Sequence, residues 1–332
     1  MTVGRRFPFG GESLYPANER VVDRYAKLFH DFFCHMSWNV GIADASIHEF
    51  LEPEWMPVIR WLPRPAKGTY LADPFGIAHD GRVFAFCEGF DYNRNKGIIL
   101  YFEISPDGTV SPPKVAMELA FHLAYPFVFE ADGRIYCIPE THEAREVGLY
   151  AAERFPDRWK KVSTLIPEFA GVDSTIFAHG GRWWIFCTNR DMGPNRALFG
   201  FHSRALTGPW EPHALNPLKR GRVGTRPAGT PFVHKGDLYR PSMDSSRTYG
   251  RRIIIHKVRN LTPTEFEEEP ARVIEPFRSG GYADGIHTIS AAGPITLVDG
   301  MRVTFERTEF SRTLDRERRR LLARFNPMWH RA

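Results

Sequence analysis

Between about residue 70 and residue 305 the chain repeats one pattern: a polar residue before a proline or small residue, an apolar strand, a glycine turn and an aromatic strand. The copies open at Asp73-Pro74-Phe75, Tyr125-Pro126-Phe127, Asp173-Ser174-Thr175, Arg226-Pro227-Ala228 and His287-Thr288-Ile289. Their hairpin turns are read at Asp80-Gly81, Asp132-Gly133, Gly180-Gly181, Lys235-Gly236 and Asp299-Gly300, pairs that supply the positive φ values a tight turn needs. A period of about fifty residues suits a propeller blade. Each unit would be a small antiparallel sheet with exposed edges and two apolar faces, which only neighbouring copies can cover, and a closed ring covers them all. The expected fold class is therefore all-β, a five-bladed β-propeller over residues 61–310, preceded by a partly helical lead-in (1–60) and followed by a basic helix or tail (311–332).

The flanks carry short helical patterns. Val22, Tyr25, Leu28, Phe29, Phe32 and Phe33 recur at helical spacing after Asn18-Glu19-Arg20, and Leu314, Leu321, Leu322 and Phe325 can share one face of a second helix. The net charge of +5 is modest, and the local basic run Arg316-Glu317-Arg318-Arg319-Arg320 has no aromatics between its charges, so nucleic acid is not an expected partner. No apolar run reaches the roughly eighteen residues of a membrane span. The N-terminal sequence MTVGRRFPFGGESLYP has neither the apolar core nor the cleavage site of a secretory signal, which leads to the expectation of a cytoplasmic protein. Cys34, Cys87, Cys137 and Cys187 form no C-x-x-C pair, so neither zinc nor a disulfide framework is indicated, and no cofactor is expected.

The first strand of every propeller blade lines the axis. The opening residues Asp73, Tyr125, Asp173, Arg226 and His287 are thus expected to converge at one mouth of the channel, although more than two hundred residues separate the first from the last. Two carboxylates facing each other across a concave mouth, Asp73 and Asp173, are what glycosidic bond cleavage uses, one as base or nucleophile and the other as acid or electrostatic tuner. The plainer alternative is that each aspartate caps a strand-start turn. Glu88 and Glu140 each fall fifteen residues after a blade opening, at the ends of apolar strands, and either point into the polar site or pair with one of the many arginines. Tyr125, Arg226, Arg240, Asp244 and His287 are assigned to substrate binding, and Tyr249 completes the polar inventory. Trp183 and Trp184 are read as core.

The blocks LADPF, HLAYPFVFEADGRIYCIPE, VDSTIFAHGGRWWIF, GPWEPHALNP, TRPAG, DLYRPSMDSSRTYG and GIHT resemble the N-terminal propeller domain of plant glucosamine inositolphosphorylceramide transferases and its bacterial stand-alone relatives, over about residues 38–305. More distantly, the layout and the Asp-Pro opening are similar to glycosidases of family 43 and the invertase and levansucrase group. That second resemblance implies Asp73 as base or nucleophile and Asp173 as its electrostatic partner, with a glutamate opening the fourth blade as general acid. Here Arg226 holds that place, and a guanidinium releases no proton near neutral pH. Either Glu88, Glu140 or Asp244 supplies the proton, or the leaving group is a phosphate clamped by arginine. The reading is a glycosidase-like enzyme cleaving or transferring a glycosyl group from a carbohydrate or sugar-phosphate ligand; the alternative is a catalytically silent glycan-binding or scaffold propeller.

Overall fold

Each copy of the repeat folds as an antiparallel sheet, because its β-branched and aromatic residues fit a pleated surface covered on both faces. The computed structural model describes residues 34–305, and five such sheets form there. From the axis outward, the first blade comprises Thr69–His79, Arg82–Asp91, Lys96–Ile104 and Lys114–Met117. The second comprises Ala124–Ala131, Arg134–Glu140, Glu146–Arg154 and Arg158–Pro167. The third has Gly171–His179, Arg182–Asn189 and Ala197–Ser203, edged by Glu211–Pro212 and Lys219–Arg220. In the fourth the inner strand is split into Val223–Pro227 and Phe232–His234, both paired with Asp237–Asp244, and Arg252–Leu261 and Phe266–Ile274 lie outside them.

The fifth blade joins the two ends of the ring. Its inner strands, Ile289–Ala292 and Ile295–Phe305, are extended outward by Cys34–Ala43 and then Ile59–Trp61. Strands from residues 34–60, expected as lead-in, are thus part of the propeller itself. Closure is completed at the axis, where Thr69–His79 packs against both Ala124–Ala131 and Ile289–Ala292, and where Gly229 bridges to Ile289. The two expected terminal helices lie outside the described residues. Among those described, no helix is long and apolar enough to cross a membrane.

Four of the five turns are where the pattern placed them, with both central residues at positive φ: Asp80/Gly81, Asp132/Gly133, Gly180/Gly181 and Lys235/Gly236. The fifth is not. The last hairpin turns at Gly293-Pro294, between the paired residues Ala292 and Ile295, and Asp299-Gly300 lies inside the long strand that follows. Gly300 is needed there for closeness rather than for turning, since a Cβ would come within 2.3 Å of the Trp61 ring and 2.8 Å of Tyr282.

The core lies between blades. Phe75, Phe86, Leu123, Phe127 and Ile138 fill the junction of the first and second, and Val40, Ile42, Ala85, Phe102 and Leu297 that of the fifth and first. Trp184, Phe186, Leu198 and Leu238 join the third to the fourth. Each such side chain contributes about 1.5–3 kcal/mol by leaving water. Cys87, Cys137 and Cys187 occupy equivalent second strands and are buried free thiols, so they act as small hydrophobes.

Candidate active site

The blade openings share a backbone device. At Asp73, Tyr125 and Asp173 the inner strand bulges, with register shifts between Ala72 and Phe75, Ala124 and Phe127, and Val172 and Thr175. The bulged residues sit at φ 51°, 44° and 52°. Aspartate tolerates this left-handed region; for tyrosine it is strained and needs compensation from its surroundings. Tyr125 obtains that compensation across the ring. Its hydroxyl accepts the Gly229 N–H at 2.8 Å and is bonded to Thr175 Oγ1 at 2.9 Å, and its ring stands edge-on to Phe75. Fully buried, Tyr125 ties the second, third and fourth blades together, with its hydroxyl already engaged by protein.

Six of the expected site residues come together: Asp73, Glu88, Glu140, Asp173, Arg226 and His287. The four carboxyls lie close enough to shift one another's protonation. Asp73 Oδ1 accepts the Thr288 hydroxyl at 2.9 Å and faces His287 Nε2 at 3.6 Å. Glu88 pairs in register with Ala72 beside the Asp73 bulge. It takes the Tyr70 hydroxyl at 3.3 Å and faces His122 Nε2 at 3.6 Å, while His122 Nδ1 accepts the Gly97 N–H at 2.9 Å. Glu140, the matching residue of the second blade, is bonded to His142 Nδ1 at 2.6 Å and accepts the Asp173 backbone N–H at 3.2 Å. Arg226 grips Asp173 with two prongs, Nε to Oδ2 at 2.5 Å and Nη2 to Oδ1 at 3.1 Å, and its Nη1 reaches Asn195 Oδ1 at 3.3 Å. The carboxylate partner of Arg226 is therefore Asp173.

Arg240 and Asp244 belong to the frame of the fourth blade. Buried Arg240 binds both oxygens of Glu268, at 2.7 and 2.9 Å, and the Gly224 carbonyl at 2.7 Å. Asp244 is held by Arg252 at 2.8 Å, by Arg251 at 3.4 Å and by the Ser246 N–H at 2.9 Å. Their side chains are engaged within their own sheet. An apolar groove of about 470 Å³ lined by Leu62, Leu71, Val110 and Pro112 holds none of the acids.

Residues to which the sequence assigned no site role complete the site, with Tyr249 from its polar inventory. Asp299 lies completely buried under Asp73 and His287, hidden in the sequence because its Asp-Gly pair reads as a turn. Trp38 stacks on His287 at 3.9 Å, and Tyr249 meets the same ring edge-on at 5.3 Å while lying 5.2 Å beneath the Arg226 guanidinium. Tyr70 and Phe90, both half-buried, stack at 4.9 Å beside Glu88. No local signal marks His122 or His142.

The environments of the acids differ. Burial, then the charges of Asp73 and Glu140, push Glu88 well above the usual carboxylate range, against the Tyr70 hydrogen bond, and so favour its neutral form. Burial would raise Glu140 too, but the His142 hydrogen bond and Arg226 hold it at about 2. Burial also lifts Asp73, with the His287 charge as the main counterweight. On Asp173 burial pushes up and Arg226 pulls down; with both oxygens accepting from one guanidinium, the contact is that of an ionised pair. Burial would lower His287, but Asp299 and Asp73 outweigh it and raise its pKa. Donor atoms of Asp73, His287 and Asp299 lie within 4.8 Å of one another, near enough for one cation. Both Asp299 oxygens, however, already accept N–H groups.

A closed five-bladed ring with buried acids at its axis defines the class: a propeller of the architecture found in several glycoside hydrolase structures. A family 117 glycoside hydrolase of the marine bacterium Zobellia galactanivorans superposes with a TM-score of 0.51 at 14% identity, covering 82% of this chain and 91% of that one. An α-L-arabinofuranosidase of Podospora anserina, solved with cellotriose, gives 0.54 at 11% identity over 78% and 85% of the two chains. At such identities the likeness is one of fold. Residues 63–280 match the family described as glucosamine inositolphosphorylceramide transferase 1, N-terminal, and the chain belongs to that family. The transferases of that name from Oryza sativa subsp. japonica and Arabidopsis thaliana are each 33% identical, over 258 and 251 residues, or 72% and 71% of this chain. The chain spans about a third of their length, 34% and 33%.

Proposed function

We propose that this propeller is a glycosidase-like carbohydrate-active domain that cleaves or transfers a glycosyl group, with Asp73 as base or nucleophile and Glu88 as proton donor. The observation that carries the reading is the split among neighbouring buried carboxyls: Glu88 is driven towards its neutral form, while Asp73 faces the His287 imidazole and Glu140 is held ionised. Pairs of acids whose surroundings push their protonation apart are how acid and base roles are divided. Asp173, paired with Arg226, is the remaining carboxyl near Asp73.

The same geometry narrows the ligand. Both prongs of Arg226 are engaged by Asp173, so a phosphate would have to displace a buried carboxylate. Asp73, Glu140, Asp173 and Asp299 outnumber Arg226 and His287, which favours a neutral or cationic glycosyl group. The relatives' name includes glucosamine, whose ammonium has the sign this mouth favours. One observation supports a glycan-binding propeller without turnover: Arg226 stands where the resembling glycosidases place their acid.

Aryl glycosides, amino sugars included, with sugar nucleotides as a second panel, separate these readings. Asp73→Asn should lower turnover by about a hundredfold or more with the melting temperature little changed. Glu88→Gln should lose activity on poor leaving groups and keep it on good ones, which need little protonation. Saturable glycan binding with no turnover on either panel would establish the binding propeller instead.

A further inference from the structure

Asp299 makes an unusually complete set of contacts. Its Oδ1 accepts the backbone N–H groups of His287 at 2.9 Å and Thr288 at 3.0 Å. Its Oδ2 accepts the Asp73 N–H at 3.1 Å and meets His287 Nδ1. Three backbone N–H donors leave one acceptor site on the two oxygens for Nδ1 of His287, which an ionised Asp299 can fill only if Nδ1 carries a proton. The other ring nitrogen, Nε2, stands 3.6 Å from Asp73 Oδ1. The imidazole is fixed between the Trp38 face, 14° from parallel, and the Tyr249 edge, 87° from it. Asp73 itself, at φ 51° in its bulge, is held through its N–H by the same Asp299.

We infer that Asp299 and His287 are a positioning pair for Asp73: Asp299 fixes the bulge and orients the imidazole, and His287 presents a positive charge to the Asp73 carboxylate. This deepens the proposed reaction and rests on Asp73 being its base or nucleophile. A carboxylate raised by burial and by the charge of Asp299 would otherwise gain a proton and lose basicity. Arg226 also faces this group and lowers its pKa through space, while the phenols of Tyr70 and Tyr249 lie near it and are themselves raised by its charge. The saturation of Asp299 by N–H donors favours a hydrogen-bonded pair over a cation cradle, because a metal would have to displace them.

The test is an NMR titration of ¹⁵N-histidine-labelled full chain, with the His287 signal assigned by its loss in His287→Gln. In the wild type, His287 should keep both ring protons above the ordinary histidine midpoint of about 6.5. Asp299→Asn should lower its midpoint by at least about one pH unit. In His287→Gln the acidic limb of kcat/KM on an aryl glycoside should move up by about one pH unit, because Asp73 becomes easier to protonate; in Asp299→Asn it should move up by less, because that change also removes a negative charge that raises Asp73. A purely structural role would move the melting temperature and not that limb. A neutral His287 ring at pH 7 in the wild type would overturn the inference without any variant, as would Ca²⁺ or Mn²⁺ binding that removes the His287 ring protons. The expected titration without turnover of any glycoside would support the pair and count against the catalytic reading.

Discussion

Arg226 shows how much one residue decides in such a ring. Next to Asp173 it converts a carboxyl that burial drives towards neutrality into half of an ion pair, and it lies on the Tyr249 ring, which favours a planar cation. Removing one partner of a buried pair leaves the other charge uncompensated. Arg226→Met is expected to cost about 3–5 kcal/mol, whereas Arg226→Met with Asp173→Leu should cost much less than the two single changes together. Urea unfolding of the four proteins measures this, and additive losses would show that the pair is not an energetic unit. At this scale the sequence was partly legible. Asp73, Asp173, Glu88 and Glu140 stood out because they recur at fixed offsets in the repeat, whereas Asp299 reaches Asp73 across 226 residues of chain and announced itself only as a false turn.

The elements place these residues through irregularities rather than through regular pleating. The three bulges turn Asp73, Tyr125 and Asp173 to positive φ at matching points of successive inner strands, and the sequence hinted at this only as a polar residue before a proline or serine. The fourth blade combines a register shift between Val223 and Pro227 with a split inner strand, braced by Arg240 and Glu268. Burial would raise Glu268, but Arg240, with His256 and Lys219, holds it at about 2. A folded-state pKa below the unfolded value of about 4.5 means that the carboxylate stabilises the fold at every pH above that value, by about 3 kcal/mol. This contribution fades as pH falls from there towards 2. Glu268→Gln should therefore unfold more readily than the wild type at pH 7, with the gap narrowing between about pH 4.5 and 2 in chemical denaturation. A gap that stays constant over that range would show that Glu268 is not ionised in the fold.

The whole molecule depends on closure, and closure concentrates at Gly229. Its φ of 128° is open to glycine alone, a Cβ would lie 1.6 Å from the Ile289 carbonyl oxygen, and its N–H holds the Tyr125 hydroxyl. Gly229→Ala should prevent the fourth and fifth blades from meeting and abolish cooperative unfolding, seen by calorimetry. Gly133→Ala, at φ 68° with no atom within 4 Å of the added carbon, should cost only about 1–2 kcal/mol. Equal, small effects would mean that the axis tolerates opening. The sequence by itself determined the number of blades, their inner strands, four of the five turns and the four carboxyls, because these follow from local pattern repeated at a fixed period. Only the tertiary structure decided that residues 34–61 complete the fifth blade, that Arg226 belongs to Asp173, that Tyr125 is a strut and that Asp299 underlies Asp73. Those relations join residues far apart in the chain, and nothing local distinguishes them until the ring brings its ends together.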